Sequence, residues 1–401
     1  MAESSKKEGG LVQEERSDKS DKAHELSTRG VPVARVAKLS QQLLGRTGLT
    51  FRKLACIGIA YGVALVGGLL FSALSVPLAW LLGPLVLSLV ATAINRPLER
   101  PAFLQLPMRA LLGVAIGASF TPELLGRIGG LVGSLALLVP YTAAVTFAGT
   151  VFLERVAGFD RPTAFFSAAP GGLADMALMS GDAGADARKV TLVQASRVLM
   201  IVFIVPFWLQ FVSGLAIGSA APRSPPISQL TVIDAAVICA LAWAGYQIAT
   251  RIGLLAASMV GPLILSGLLH GLGFTTVKVP QEVLIAAQMT LGIMIGGYFI
   301  GVTLREFVTV LSWGIAFGAM LLLVAAAAAI GVSSVTGLDP TVVLLSYSPG
   351  GQNEMNLLAL IIGIDAAVVA LHHLLRVAMV VIGAQLVFRW HTSWGPSSGR
   401  K

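Results

Sequence analysis

Charge is scarce in this chain: 12% of its 401 residues are Asp, Glu, Lys or Arg, against roughly 25% in an ordinary soluble domain. With 55% apolar residues and a mean hydropathy of +0.82, that shortage excludes a water-soluble globular protein. Cysteine is almost missing. Cys56 and Cys239 stand far apart in apolar segments, without the close spacing of a redox or metal motif. Histidine is equally thin: His24 and His391 lie in the terminal regions, His270 stands alone and His372 is adjacent to His373. This is too little for the converging histidines and carboxylates that copper or diiron oxidation requires, so an enzyme is not expected and no cofactor is called for. The net charge of +8 comes with no nucleic-acid motif, and its short basic loops read as determinants of membrane orientation, so no nucleic-acid partner is expected.

Present instead are apolar runs near 18 to 25 residues, from about 51 to 388, each long enough to cross a hydrocarbon layer of about 30 Å. Residues 1–50 are polar and lack both a continuous apolar core and a small-residue cleavage site, which predicts a disordered cytoplasmic tail with a short surface helix over 33–44. The plain apolar segments fall near 53–74, 78–94, 106–121, 128–152 and 188–215, then 230–249, 254–272, 283–301, 308–330 and 366–388. Two further segments, near 160–182 and 339–362, are broken by Pro-Gly-Gly.

The two sets are copies. WLLGPLVLSL (Trp80 to Leu89) returns as SMVGPLILSG (Ser258 to Gly267), and LLGVAIGASF (Leu111 to Phe120) as TLGIMIGGYF (Thr290 to Phe299). SAAPGGLADMA (Ser167 to Ala177) returns as SYSPGGQNEMN (Ser346 to Asn356), with Arg197 and Arg376 following at equal distance. The spacing between matched positions is 178 or 179 residues. The layout is a first membrane repeat over 51–215, a linker over 216–229, a second repeat over 230–388 and a tail over 389–401.

If both broken segments cross the membrane, seven basic loop residues lie inside and five outside. If both turn back, Arg96, Arg100, Arg109, Arg155, Arg161, Arg188, Lys189, Arg251 and Arg305 lie inside, against Arg127, Arg223 and Lys278 outside. The charge bias favours the second arrangement, with an unwound crossing helix at each break as the competitor. Five crossings per half would invert one half relative to the other. The predicted fold is an all-α polytopic membrane protein of two inverted repeats, each with five transmembrane helices plus one broken re-entrant or discontinuous helix.

Proline removes a backbone donor and glycine relaxes the backbone, so Pro170-Gly171-Gly172 and Pro349-Gly350-Gly351 leave peptide groups outside regular helix bonding. Such groups do not face hydrocarbon, and two short helices pointing their N-termini at a shared centre would build a donor-rich pocket there. Ser167, Ser346, Ser348, Gln352, Asn353 and Asn356 add polar side chains, and Asp175 and Glu354 occupy matching positions as candidate proton or coupling-ion sites. Arg376 is the better candidate for an anionic substrate, while both arginines also suit balancing a carboxylate or capping a helix; His372 and His373 are candidates for a proton-linked role. Asp186 and Asp365 read as helix starts, and G-x-x-x-G pairs at 113/117 and 292/296 as close helix contacts.

On WLLGPL, SAAPGGLADM and SYSPGGQNEMNLLAL, the chain resembles the membrane AbrB duplication family over about residues 51 to 388. That family also carries an ammonia monooxygenase label, and it is not similar to the soluble DNA-binding AbrB regulators. At a greater distance the chain is similar to inverted-repeat carriers of the bile-acid and cation/proton antiporter types. The resemblance implies a transporter whose sites are the discontinuous helices carrying Asp175 and Glu354. The first break departs from the Asn-Asp or paired-acid pattern of a cation/proton antiporter, which leaves the coupling ion open.

The expected function is a secondary active transporter of a small anionic organic solute, coupled to H+ or Na+. It would sit in the cytoplasmic (inner) membrane of a bacterium, N-terminus inside. The alternatives are a membrane scaffold or sensory protein affecting regulation indirectly, or a channel. Its partners would be the solute and membrane lipid, with a homodimer as the commonest assembly.

Overall fold

The computed structural model describes residues 51–211, 224–254 and 256–392. The predicted N-terminal tail, its surface helix and most of the linker lie outside the described residues. The chain divides into two units, Met1–Cys56 and Ile57–Lys401, and the architecture below is that of the second. Among the described residues there are fifteen α-helices and no strand.

In the first repeat the helices are α1 (Phe51–Ala73), α2 (Ala79–Ala93), α3 (Ala102–Gly117), the short α4 (Pro122–Arg127), α5 (Val132–Arg155), α6 (Arg161–Ala168), α7 (Leu173–Asp182) and α8 (Ala187–Phe211). In the second they are α9 (Val232–Arg251), α10 (Ala257–Gly271), α11 (Gln281–Gly296), α12 (Leu304–Thr336), α13 (Pro340–Tyr347), α14 (Gln352–Ile362) and α15 (Ala366–Thr392). Seven of these are long and apolar enough to cross a membrane: α1, α5, α8, α9, α11, α12 and α15. The protein is therefore an all-α polytopic membrane protein.

Of three short helices, α2 and α10 come out shorter than their predicted segments, while α3 keeps the predicted 16 residues but starts four residues earlier. Helices α2, α3 and α10 have 15 or 16 residues, about 23 Å of helix at 1.5 Å per residue. Two of them are flanked by left-handed turns that use up apolar residues: Leu78 before α2 has φ 50° and Ala256 before α10 has φ 48°. Helix α12 is longer than predicted, and α15 continues to Thr392, past the boundary drawn at 388.

The duplication extends to backbone conformation. Positive φ recurs in pairs 178 or 179 residues apart: Ser75 and Gly253, Leu78 and Ala256, Asn95 and Gly273, Gly158 and Gly337, Gly184 and Gly363. A left-handed leucine or alanine is costly, so its recurrence at one site of both copies marks a conserved chain path rather than chance.

Packing follows the same symmetry. Helix α2 lies along α11, and α10 along α3, each joining the second helix of one repeat to the third of the other. The G-x-x-x-G glycines make these contacts close. A Cβ on Gly292 would come 2.6 Å from the Leu81 carbonyl oxygen, and one on Gly117 would come 2.6 Å from Ser266 Cβ. Gly67 against Gly83, and Gly245 against Gly261, bring α1 onto α2 and α9 onto α10 backbone to backbone. A second bundle joins α8 to α12 and α5 to α15, with the broken segments tucked beside them.

The broken segments double back. Asp160 caps α6 by accepting from the Thr163 amide, and Asp339 caps α13 by accepting from the amides of Thr341 and Val342. At the far end of the first segment, the Asp186 amide donates to Thr163 Oγ1 at 2.9 Å. The chain thus returns after 23 residues to where the segment began. In the second segment Leu338 and Val342, at its start, pack with Ala367 and Val368, just past its end. As expected, Asp186 and Asp365 serve helix starts, accepting from the amides of Arg188, Lys189 and Val368.

Candidate functional site

Each break takes carbonyls at the C-terminal end of a short helix out of regular helix bonding, though the Ala169 carbonyl still accepts from the Gly171 amide at 2.9 Å. A buried arginine takes them. Arg197, on α8, donates through Nη1 to the Ala169 carbonyl at 3.3 Å and through Nη2 to Gln194 Oε1 at 2.7 Å. Gln194 in turn donates to the carbonyls of Phe166 and Ala169 at 2.8 and 3.0 Å. In the second repeat Arg376, on α15, donates to the carbonyls of Ser348 and Gly350 and, at 2.7 Å, to His373 Nδ1. His373 Nε2 bonds the Leu345 carbonyl at 3.0 Å.

The two clamps are copies, with Gln194 matched by His373. Because a carbonyl only accepts, His373 Nε2 carries the proton and Nδ1 receives the arginine. Both guanidiniums are 1% exposed, and among the described residues neither reaches a carboxylate. Both arginines serve the helix-capping alternative. Each keeps one buried donor, Nε, without a partner among the described residues.

Both breaks line a single cavity of about 150 Å³. Pro170, Gly171 and Gly172 border it from the first, and Gly350, Gly351, Gln352, Asn353 and Glu354 from the second, with Arg197 and Arg376 in the wall. Glu354 sits in the first turn of α14 and is buried. Its carboxylate folds back over Gly351 so closely that any Cβ there would collide with Oε2.

Some predicted site residues lie elsewhere. Ser167, Ser346, Ser348 and Asn356 are fully buried, and their side-chain polar atoms have no hydrogen-bond partner among the described residues, but they do not line the cavity. Pro349 is likewise outside its lining. His373 lies behind Arg376. His372 belongs to another cluster, with Nδ1 on the Val368 carbonyl at 2.8 Å and Nε2 at 3.0 Å from Ser134 Oγ, where Tyr347 also donates to the Ser134 carbonyl. Asp175 lies in α7, and its side chain is outside the described ones.

The first bundle supplies residues that the sequence reading missed. Arg109, counted above as a loop charge, lies in the middle of α3 and lines the cavity, as do Gln105 on α3 and Tyr298 just after α11. Its field reaches Glu354. An arginine inside an apolar run is itself a signal; assigning it to a loop hid it.

The family model described as "Transition state regulatory protein AbrB" matches residues 80–392. The chain belongs to the AbrB family. It is 24% identical over 350 residues to the protein YhjN of Bacillus subtilis (strain 168), covering 80% of this chain and 88% of that one. It is also 24% identical over 337 residues to "Putative regulator AbrB" of Escherichia coli (strain K12), covering 81% of this chain and 93% of the relative. The match to the family takes in both broken segments and both arginine clamps.

Proposed function

We propose that this AbrB-family protein is a secondary active transporter of a small anionic organic solute, resident in the cytoplasmic membrane of a bacterium and driven by a proton or sodium gradient. The observation that carries the reading is the meeting of both Pro-Gly-Gly breaks at one cavity walled by two buried arginines. In a bilayer, free peptide groups and buried charge are costly. Having them in duplicate around one recess makes sense where a polar solute and an ion bind and leave.

The recess lies where the two bundles meet, with α3 of the first against α14 and α15 of the second. Sliding one bundle past the other would expose it to either side in turn, the broken segments acting as re-entrant elements of an inverted repeat. Arg376 and the backbone N–H groups of α14 would hold the anionic end of the solute. Glu354, which lines the same cavity as Arg109, would take up the coupling ion. With Arg109 inside α3 rather than in a loop, the loop charges divide eight inside to three outside, still consistent with an internal N-terminus.

The test is uptake into proteoliposomes. Saturable counterflow that responds to a proton or sodium gradient is expected, and Glu354→Gln should abolish the gradient dependence while leaving the folded protein intact. Unchanged ion dependence in that variant would remove Glu354 from the coupling step.

A second reading, a membrane scaffold or sensor acting on regulation indirectly, has in its favour the regulator names of the family and of the Escherichia coli relative. It predicts no counterflow of any solute.

A further inference from the structure

We infer that the cavity between the two breaks is built for a small dianion, the chemistry shared by short dicarboxylates and divalent oxyanions. The inference deepens the carrier reading and rests on the same cavity. It comes from counting charge and donors around that space.

Among the described side chains, three cations line the cavity, Arg109, Arg197 and Arg376, against one carboxylate, Glu354. The surplus is two. Arg197 and Arg376 border the same cavity, and burial denies them solvent. Two such charges, with no carboxylate paired to either among the described side chains, are strongly unfavourable in a protein interior, so a ligand that brings two negative charges gains most by entering. A monoanion would leave one positive charge uncompensated, and a diamine would add to the surplus.

The donors agree with the charges. Arg109 Nε, Arg197 Nε and Arg376 Nε are buried, belong to residues of the cavity wall and have no partner among the described residues; Gln352 Nε2 is a fourth such donor. The clamps already fix the guanidiniums of Arg197 and Arg376 by two or three hydrogen bonds on the other edge, so their free N–H groups need no ordering when a ligand arrives.

The helix ends add to the effect. The arginines cover the carbonyl ends of α6 and α13, while α7 and α14, of 10 and 11 residues, begin at the cavity with their positive poles. Of the three free guanidinium donors, Arg197 Nε and Arg376 Nε come from repeat-related positions, one at each break. That pseudo-symmetric pair suits a ligand with a negative group at each end.

Size sets the rest. A space of about 150 Å³ equals the share of roughly five waters in the liquid. That admits a four-carbon dicarboxylate or a sulfate.

The test is calorimetric titration of the full-length protein in nanodiscs, which reads binding without transport. The probes are succinate, sulfate, butyrate and 1,4-diaminobutane. Succinate should bind saturably and butyrate about tenfold more weakly or worse, since one buried charge then goes unpaired; the diamine should not bind. Sulfate binding as tightly as succinate would point to an inorganic dianion, and sulfate binding much more weakly to a dicarboxylate; either keeps the inference.

Butyrate or the diamine matching succinate would overturn it, as would binding of neither dianion. Arg109→Gln, which leaves both clamps untouched, should weaken succinate about tenfold with little change for butyrate. Equal loss for both would contradict the charge count. Dianion binding without counterflow in proteoliposomes would instead leave this inference standing and sink the carrier reading.

Discussion

Arg197 and Arg376 donate to carbonyls that each Pro-Gly-Gly break takes out of regular helix bonding. Their companions differ, Gln194 in one repeat and His373 in the other, yet each links its arginine to a carbonyl of the preceding short helix. The comparison predicts that His373→Gln keeps the clamp and changes stability by less than about 1 kcal/mol, with transport retained. His373→Leu strands the Leu345 carbonyl and one Arg376 donor, at about 1–3 kcal/mol for each buried group left unpaired. Denaturation of the two variants in detergent compares these outcomes, and a large loss in His373→Gln would mean the histidine has a task that glutamine cannot take over.

At this scale the sequence was informative about which residues repeat, because Ser167, Asp175 and Arg197 recur 179 residues later as Ser346, Glu354 and Arg376. It was silent on direction. Nothing in the spacing says that Ser346 and Asn356 turn away from the cavity while Arg109, from a distant segment, turns into it. That depends on how the helices rotate when they pack.

Among the helices, small residues set the distances. A Cβ on Gly83 would strike the Gly67 carbonyl, backbone against backbone, whereas one on Gly58 meets nothing within 4 Å. Gly83→Ala should therefore cost about 1–3 kcal/mol by overpacking and Gly58→Ala close to nothing, compared by thermal unfolding in the same detergent. Equal effects would mean that the α1–α2 contact is looser than described. These contacts were legible as G-x-x-x-G and Gly-Pro patterns, and so were all ten plain helices. Element ends were less so: the shortening of α2 and α10 follows from left-handed turns at Leu78 and Ala256, residues whose type does not announce that conformation.

For the whole molecule, the decisive feature is that each broken segment ends beside its own beginning. Cysteines placed at Arg161 and Arg188, both exposed, should then be labelled by an impermeant thiol reagent from one and the same face of the membrane. Labelling from opposite faces would turn the first segment into a crossing helix and remove the inversion. The loop-charge bias already leaned this way; contact between Thr163 and Asp186 is a three-dimensional fact that no window of sequence contains.

The account as a whole requires the two breaks to face each other across one space. Leu173 and Gln352, matched in the repeats and both in the cavity wall, report on this directly when changed to cysteine in a chain freed of Cys56 and Cys239. In native membranes a short bifunctional thiol reagent should join them within one chain, and succinate should slow the reaction. Absence of any intramolecular link, with both cysteines shown to be reactive singly, would place the breaks apart and contradict the shared site.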